Sequence, residues 1–205
     1  MDRRKYEEYE YIDPDAYYTY EGSSVLKNKF NLRDAESAQK REYQIVASKL
    51  VELGFEPIEV KCMTDILAIH NFLFQEMYEW AGSYRLVNIS KEGNAFMAFQ
   101  AFDTGAEYID SLLRDFHTSE KTKDEVAGKL ANILDNLNHM HPFREGNGRT
   151  QREVLRVLAL SKGYYADINV DTDDRVYHLY MDGTVEGDKL ILKKLFLEIL
   201  ENVEY

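Results

Sequence analysis

Between residues 141 and 152 the chain reads His141-Pro142-Phe143-Arg144-Glu145-Gly146-Asn147-Gly148-Arg149-Thr150-Gln151-Arg152. Glycines on both sides of Asn147 let the backbone turn sharply and aim consecutive N–H groups at one point. Such a nest at the positive end of a helix is an anion site. Arg149 and Arg152 stand three apart, so one helical face carries both guanidinium groups toward the same phosphates. Glu145 supplies a hard oxygen ligand suited to Mg²⁺ held jointly with phosphate oxygens. His141 is the one side chain of the segment that acts as a base near neutral pH. Taken singly, each feature is more often structural: a Gly-Asn-Gly triplet is usually a turn and an Arg-x-x-Arg pair a solvated face. A base, a metal carboxylate, a nest and two arginines in this order make a phosphoryl- or nucleotidyl-transfer constellation.

The segment lies between two strongly helical patterns, so it is a loop that opens a helix. Before it, Val126, Leu130, Ile133, Leu134 and Leu137 form an apolar stripe over Lys123–His139. After it, Val154, Leu155, Val157, Leu158 and Leu160 leave little polar surface over 149–162, and Lys162-Gly163 is a stop. Helical spacing also marks Asp34–Leu53 with Gly54 as stop, Thr64–Tyr78, Gln100–Phe116, Asp171–Tyr180 and Leu190–Val203. A short helix is expected over Val25–Phe30, after a turn at Gly22-Ser23-Ser24. Val87–Phe99 reads differently: two β-type runs around Lys91-Glu92-Gly93-Asn94 predict a hairpin. The expectation is an all-α domain with one small β-hairpin, spanning residues 17–205, behind a flexible, acidic, tyrosine-rich arm over residues 1–16.

Composition narrows the function classes. The chain has 205 residues and a formal net charge of −12, which opposes general binding to a phosphate backbone, so no direct nucleic-acid partner is expected. Only three prolines and 11 glycines leave long uninterrupted stretches, favouring helices over a turn-rich sandwich. Cys62 is the only cysteine, which excludes an internal disulfide and an all-cysteine zinc site. No window has the apolar length of a membrane span, and Arg3 and Arg4 have no apolar stretch behind them as a secretory signal would. A cytoplasmic, reduced protein is expected.

The segment matches in full the signature of Fic (Fic/Doc) proteins, His-x-Phe-x-(Asp/Glu)-Gly-Asn-Gly-Arg-x-x-Arg, through His141, Phe143, Glu145, Gly146, Asn147, Gly148, Arg149 and Arg152. Val25-Leu26-Lys27-Asn28-Lys29 resembles the family's leader, Tyr78-Glu79-Trp80-Ala81-Gly82 its turn before the flap, and Asn88-Ile89-Ser90-Lys91 the start of that flap. The resemblance implies a Fic-type helical domain whose hairpin flap docks a target protein by strand addition. It implies a Mg²⁺-dependent protein adenylyltransferase moving AMP from ATP to a Ser, Thr or Tyr hydroxyl. His141 would then be the base and Glu145 the metal ligand. Gly146, Asn147, Gly148, Arg149, Thr150 and Arg152 would bind the nucleotide, and Asn88, Ile89, Ser90 and Lys91 the target. Gly148 stands where a phosphorylating branch of the family has Lys, which favours AMP transfer. Family toxins modify type II topoisomerases and family effectors modify small GTPases, so either is an expected target class.

Many Fic enzymes are restrained by a helix carrying (Ser/Thr)-x-x-x-Glu-(Gly/Asn). Tyr17–Gly22 and Leu197–Asn202 contain Glu21-Gly22 and Glu201-Asn202 but lack the leading hydroxyl residue, and Glu201 is expected on a helix that packs on the core. Restraint by a separate small antitoxin protein is therefore expected. The competing classes are a Fic-fold scaffold without catalysis, which should have lost His141 or Glu145, and a metal-dependent phosphate-ester hydrolase, which would want more clustered ligands. Variants transferring another phosphate-containing group, and removal of AMP, complete the alternatives. His70 on an apolar stripe reads as a satisfied core histidine and Trp80 as a packing anchor. Tyr6, Tyr9, Tyr11, Tyr17, Tyr18 and Tyr20 are candidate self-modification acceptors, although surface tyrosines are common.

Overall fold

The helical periods of the sequence become seven α-helices in a computed structural model that describes residues 9–11, 17–91, 94–168 and 173–203. In chain order they are α1 (Ala35–Phe55), α2 (Met63–Phe74), α3 (Phe102–Thr118), α4 (Lys123–Met140), α5 (Asn147–Ser161), α6 (Asp174–Glu186) and α7 (Lys189–Ile199). Side-chain caps set several of the starts: Asp34 accepts from the Ser37 amide, Thr122 from Glu125, Asp173 from Arg175 and Val176, and Asp188 from Leu190 and Ile191. Helix α4 is the axis, packed by α3, α5, α6 and α7, while α2 bridges α1, α3 and α5. Its stripe is buried as expected, with Val126, Leu130, Ile133, Leu134 and Leu137 all in the core. Each such side chain contributes about 1.5–3 kcal/mol of burial, so the helices on both sides of the 141–146 loop are firmly held.

The predicted hairpin is present as β2 (Ile89–Lys91) and β3 (Asn94–Ala95), paired antiparallel with Ser90 opposite Ala95 and Lys91 opposite Asn94. Most of the arm expected over 1–16 lies outside the described residues. Its backbone at Tyr9–Tyr11 is described, and it forms a third strand, β1, antiparallel to β2. Two further strands, β4 (Tyr164–Tyr165) and β5 (Glu201–Asn202), pair after α5 and α7, so the hairpin is not the whole β content.

Other local expectations are corrected. Val25–Phe30 is not a helix: Leu26 bridges Thr19, and the Asn28 side chain donates to the carbonyls of Leu26 and Leu32 while accepting from the Leu32 amide. An asparagine that bonds its neighbours' main chain competes with helix formation. Helix α1 runs through Gly54 and ends before Pro57, since glycine is a weaker stop than proline. Helix α2 ends at Phe74 rather than Tyr78, and α7 ends at Ile199, leaving Glu201 exposed on β5 rather than on a helix. No helix among the described residues is long and apolar enough to cross a membrane.

Candidate active site

Three glycyl and asparaginyl features build the turn into α5. Gly146 caps the helix with φ of 82°, and a Cβ there would lie 2.3 Å from the Phe74 ring, so both conformation and space require glycine. Asn147 is buried; its Oδ1 accepts from the Phe143 amide at 2.9 Å and its Nδ2 donates to the Phe143 carbonyl at 2.8 Å. Its side chain therefore braces the loop, with both polar atoms bonded to the Phe143 main chain. At Gly148 a Cβ would meet only the ends of Arg152 and Tyr180, at 3.4 and 3.6 Å. That glycine keeps room on the open side of the turn.

The turn borders a cleft of about 640 Å³ whose lining includes Val25, Leu26, Glu42, Glu145, Arg149 and Arg152. The two arginines share it but differ in setting. Arg149 reaches Glu42 at 2.5 Å and Glu145 at 3.2 Å, and its guanidinium lies over the Phe74 ring. Burial disfavours its charge, but the two carboxylates outweigh that and hold its proton more tightly than usual. Glu42 in turn accepts a short hydrogen bond from the Tyr78 hydroxyl. Arg152 lies beside Tyr180, whose ring centroid is 6.0 Å from the guanidinium. Thr150, expected in this site, is fully buried with no partner for its hydroxyl among the described residues; one helical turn from Asn147, it faces the core and cannot line the cleft.

Glu145 Oε1 accepts from the Gly146 amide at 2.8 Å and from Arg149, and its half-exposed side chain lines the cleft. No cluster of three or more His, Cys, Asp or Glu suited to a metal occurs among the described residues. One carboxylate beside a nest and an arginine still fits Mg²⁺ of the kind held mostly by substrate phosphates and water. The carbonyl of Glu145 is anchored from behind by His70. That ring is fully buried, lies 3.7 Å from the Phe143 ring, donates through Nε2 to the Glu145 carbonyl at 3.0 Å and accepts at Nδ1 from the Gly82 amide. Burial lowers its pKa to about 3, so it is a neutral structural histidine, as its apolar neighbours in the sequence imply.

His141 sits at the other end of the loop, where α4 stops in a left-handed residue with φ of 45°. This conformation costs a non-glycine residue about 1–2 kcal/mol, and it turns the imidazole out of the helix toward the flap. Its ring stacks on Phe96 at 3.9 Å, and Nδ1 faces the Asn138 carbonyl at 3.3 Å. A carbonyl only accepts, so Nδ1 carries a proton toward it.

Arg85, which the sequence reading passed over, explains why the flap and His141 stay in register. It is buried, and its Nε donates to the His141 carbonyl at 2.8 Å. Nη1 and Nη2 donate to the carbonyls of Val87 and Met97, at 2.6 and 2.5 Å, at the base of the flap. Its own amide donates to Pro142. Burial alone lowers its pKa to about 10. The signal available in the sequence was a lone arginine between the Gly82-Ser83 turn and the apolar run of the flap, a charge with no acidic neighbour within four residues.

The flap residues divide by role. Asn88 Oδ1 accepts from the Phe99 amide and closes the flap's base. Ile89 is buried with Tyr18 and Val87, so it anchors the flap instead of meeting a target through its side chain. Ser90 is half-buried, and Lys91 pairs through its backbone with Tyr9. Trp80 is a packing anchor as expected, stacked on Tyr78 at 4.4 Å and edge-on to Tyr18.

The fold and site define a helical domain with a glycine-flanked turn, a cleft-lining carboxylate and a histidine beside a hairpin, and comparison with known proteins gives its family. Residues 62–159 match the model of the Fic/DOC family. Over 152 residues the chain is 35% identical to the protein adenylyltransferase VbhT of Bartonella schoenbuchensis, covering 73% of this chain and 32% of VbhT. Over 150 residues it is 31% identical to the Sinorhizobium fredii protein named "Probable protein adenylyltransferase y4lH", covering 72% of this chain and 77% of that one. The N-terminal Fic domain of a VirB-translocated effector from Bartonella quintana, solved with bound ADP, superposes with a TM-score of 0.79 at 25% identity, over 91% of this chain and 95% of that one. The chain belongs to the Fic/DOC family. It spans about a third of the length of the first curated relatives it matches.

Proposed function

We propose that this chain is a protein adenylyltransferase that moves AMP from ATP to a side-chain hydroxyl of a target protein, releasing pyrophosphate. The observation that carries the reading is the placement of His141 at the junction of the flap and the nest, where Nδ1 faces the Asn138 carbonyl and the ring stacks on Phe96. Nε2 takes the proton as the target hydroxyl attacks the α-phosphate. The amides of the turn at Gly146–Gly148 steady the charge that builds on the phosphate, and Arg152 faces the distal phosphates. Arg149, bound to Glu42 and Glu145, keeps the carboxylate of Glu145 at the cleft. Mg²⁺ held there would neutralise phosphate charge. Room beside Gly148 suits a triphosphate lying with its α-phosphate toward His141.

The finer assignments belong to the same proposal. The enzyme acts in the cytoplasm, on a target such as a type II topoisomerase subunit or a small GTPase. A small antitoxin protein supplies its restraint, since neither Glu21 nor Glu201 lines the cleft beside Arg152. The test is labelled AMP transfer from α-³²P-ATP with Mg²⁺ into lysate proteins, wild type beside His141→Ala. Label with wild type alone is expected, and loss of a general base lowers the rate by about 100- to 10,000-fold. Label from γ- but not α-³²P-ATP would assign a kinase instead. No label from either, with ATP still bound, would leave a non-catalytic scaffold.

A further inference from the structure

Helix α5 carries Arg149, Arg152 and Arg156, and the three are held differently. Arg149 pairs with Glu42 and Glu145, and Arg156 pairs with Glu153 at 2.7 Å, so both charges are cancelled in place. No carboxylate pairs with Arg152 among the described residues; its neighbour is the phenol of Tyr180 on α6. A Cβ at Gly148 would lie 3.4 Å from Nη1 of Arg152 and 3.6 Å from the Tyr180 hydroxyl, so the two groups meet beside the turn that opens α5. Burial pushes the phenol's pKa up and outweighs the charge and hydrogen bond of Arg152, which pull it down. The partner of Arg152 is therefore neutral.

Packing, rather than Arg152, sets the place of Tyr180. It is buried on the α6 face that also buries Val176 and Gly183. At Gly183 a Cβ would lie 2.5 Å from the Leu192 side chain, so α6 sits close against α7. One turn beyond Tyr180, the Thr184 hydroxyl donates to the Tyr180 carbonyl at 2.7 Å, and the Thr184 carbonyl accepts from Asn138 Nδ2 at 2.9 Å. Asn138 is the residue whose own carbonyl faces His141 Nδ1. The phenol thus stands in a frame fixed to the histidine end of the site. A neutral acceptor in that frame does what a carboxylate cannot. It directs one N–H of the guanidinium while leaving the net charge and the other N–H donors for an anion. An arginine already aimed also loses less rotamer freedom when the anion arrives.

From this arrangement we infer that Tyr180 is a positioning residue that holds Arg152 toward the distal phosphates with its charge uncancelled, so that the cleft prefers a nucleoside di- or triphosphate to the monophosphate. The inference rests on the phosphate role proposed for Arg152.

The test is calorimetric binding of ATP, ADP and AMP, each with Mg²⁺, to the full chain as wild type, Tyr180→Phe, Arg152→Ala and the double variant. Phenylalanine keeps the buried ring, so Tyr180→Phe should unfold near the wild-type temperature and bind AMP as wild type does. Its affinity for ATP and ADP should fall about 3- to 10-fold, the worth of one hydrogen bond. Arg152→Ala should lose more, and adding Tyr180→Phe to it should change nothing further, because the phenol acts through the guanidinium. Equal losses for all three nucleotides would make Tyr180 a wall of the cleft and overturn the inference. Losses that add in the double variant, or ATP affinity that Tyr180→Phe leaves unchanged, would overturn it as well. The expected binding pattern without AMP transfer to any protein would support this inference and overturn the adenylyltransferase reading. Failure of wild type to bind any of the three nucleotides would overturn both.

Discussion

Two arginines, Arg85 buried and Arg149 half-buried, lie at the two ends of the 141–149 segment, and their partners are of opposite kinds. Arg149, on the nucleotide side, is held by the carboxylates of Glu42 and Glu145. Arg85, on the flap side, is surrounded by the carbonyls of His141, Val87, Met97 and Met140. The first arrangement sets charge: it leaves a neutralised guanidinium and a carboxylate aimed at the cleft. The second sets geometry, because carbonyl dipoles solvate the cation while three chain segments are pinned to one planar fork. The difference teaches that the candidate site of this chain is assembled from a charge-balanced half at the cleft and a main-chain-pinned half that aligns His141 with the flap.

Removing Arg85 should break the second half and have the largest effect. In Arg85→Met, four carbonyls lose their donor, and unsatisfied buried groups cost about 1–3 kcal/mol each before relaxation. Thermal or denaturant unfolding should show a loss of about 3–5 kcal/mol. Arg85→Lys should recover little, since one ammonium cannot reach segments placed for a fork. If Arg85→Met instead matched wild type in stability and in AMP transfer, the flap and His141 would not depend on this residue.

Glu42→Gln sharpens the comparison from the other side. The amide can still pair with Tyr78 and Arg149, but the charge is gone, and a charged hydrogen bond is worth about 1.5–3 kcal/mol. A loss of about 2 kcal/mol in stability is expected. Arg149 is then left to Glu145 alone, so Mg²⁺ affinity, read by titration of nucleotide binding with the metal, should weaken. The His141–flap geometry should not respond, and hydrogen exchange in β2 should stay as in wild type.

How far the sequence disclosed this follows from the same division. The nucleotide half is local: nest, Glu145, Arg149 and Arg152 fall within one turn and one helix start, so spacing alone brings them together. Glu42 and Tyr78 were missed because they reach Arg149 from other elements, and no periodicity links α1 to the turn. Arg85 was missed for a related reason, since its partners are main-chain atoms that any residue could supply. Thr150 was misplaced because a linear motif does not say which face of α5 meets the core. The helices were legible through their stripes, whereas Val25–Phe30 was misread because side-chain bonds of Asn28 overrode helical spacing. The strand at Tyr9–Tyr11 was invisible because three residues are too few to show an alternation.

The smallest expected effect lies between the two halves, at His70. Its ring links the Glu145 carbonyl to the Gly82 amide and stacks on Phe143, so it stiffens the loop that joins His141 to the nest. The folded chain holds it neutral, with a pKa of about 3 against an ordinary 6.5. Between those values the unfolded chain binds the proton and the folded chain does not, so stability rises with pH across that window. The contribution is complete above pH 6.5 and is lost as pH falls toward 3. From pH 7 to 5.5 the loss should be about 1 kcal/mol. His70→Gln, which retains a donor and an acceptor without titrating there, should start less stable yet show a flatter pH profile. A variant profile as steep as that of wild type would mean that other groups carry the acid sensitivity. In that case the link between the two halves would be the packing of Phe143 rather than the protonation state of His70.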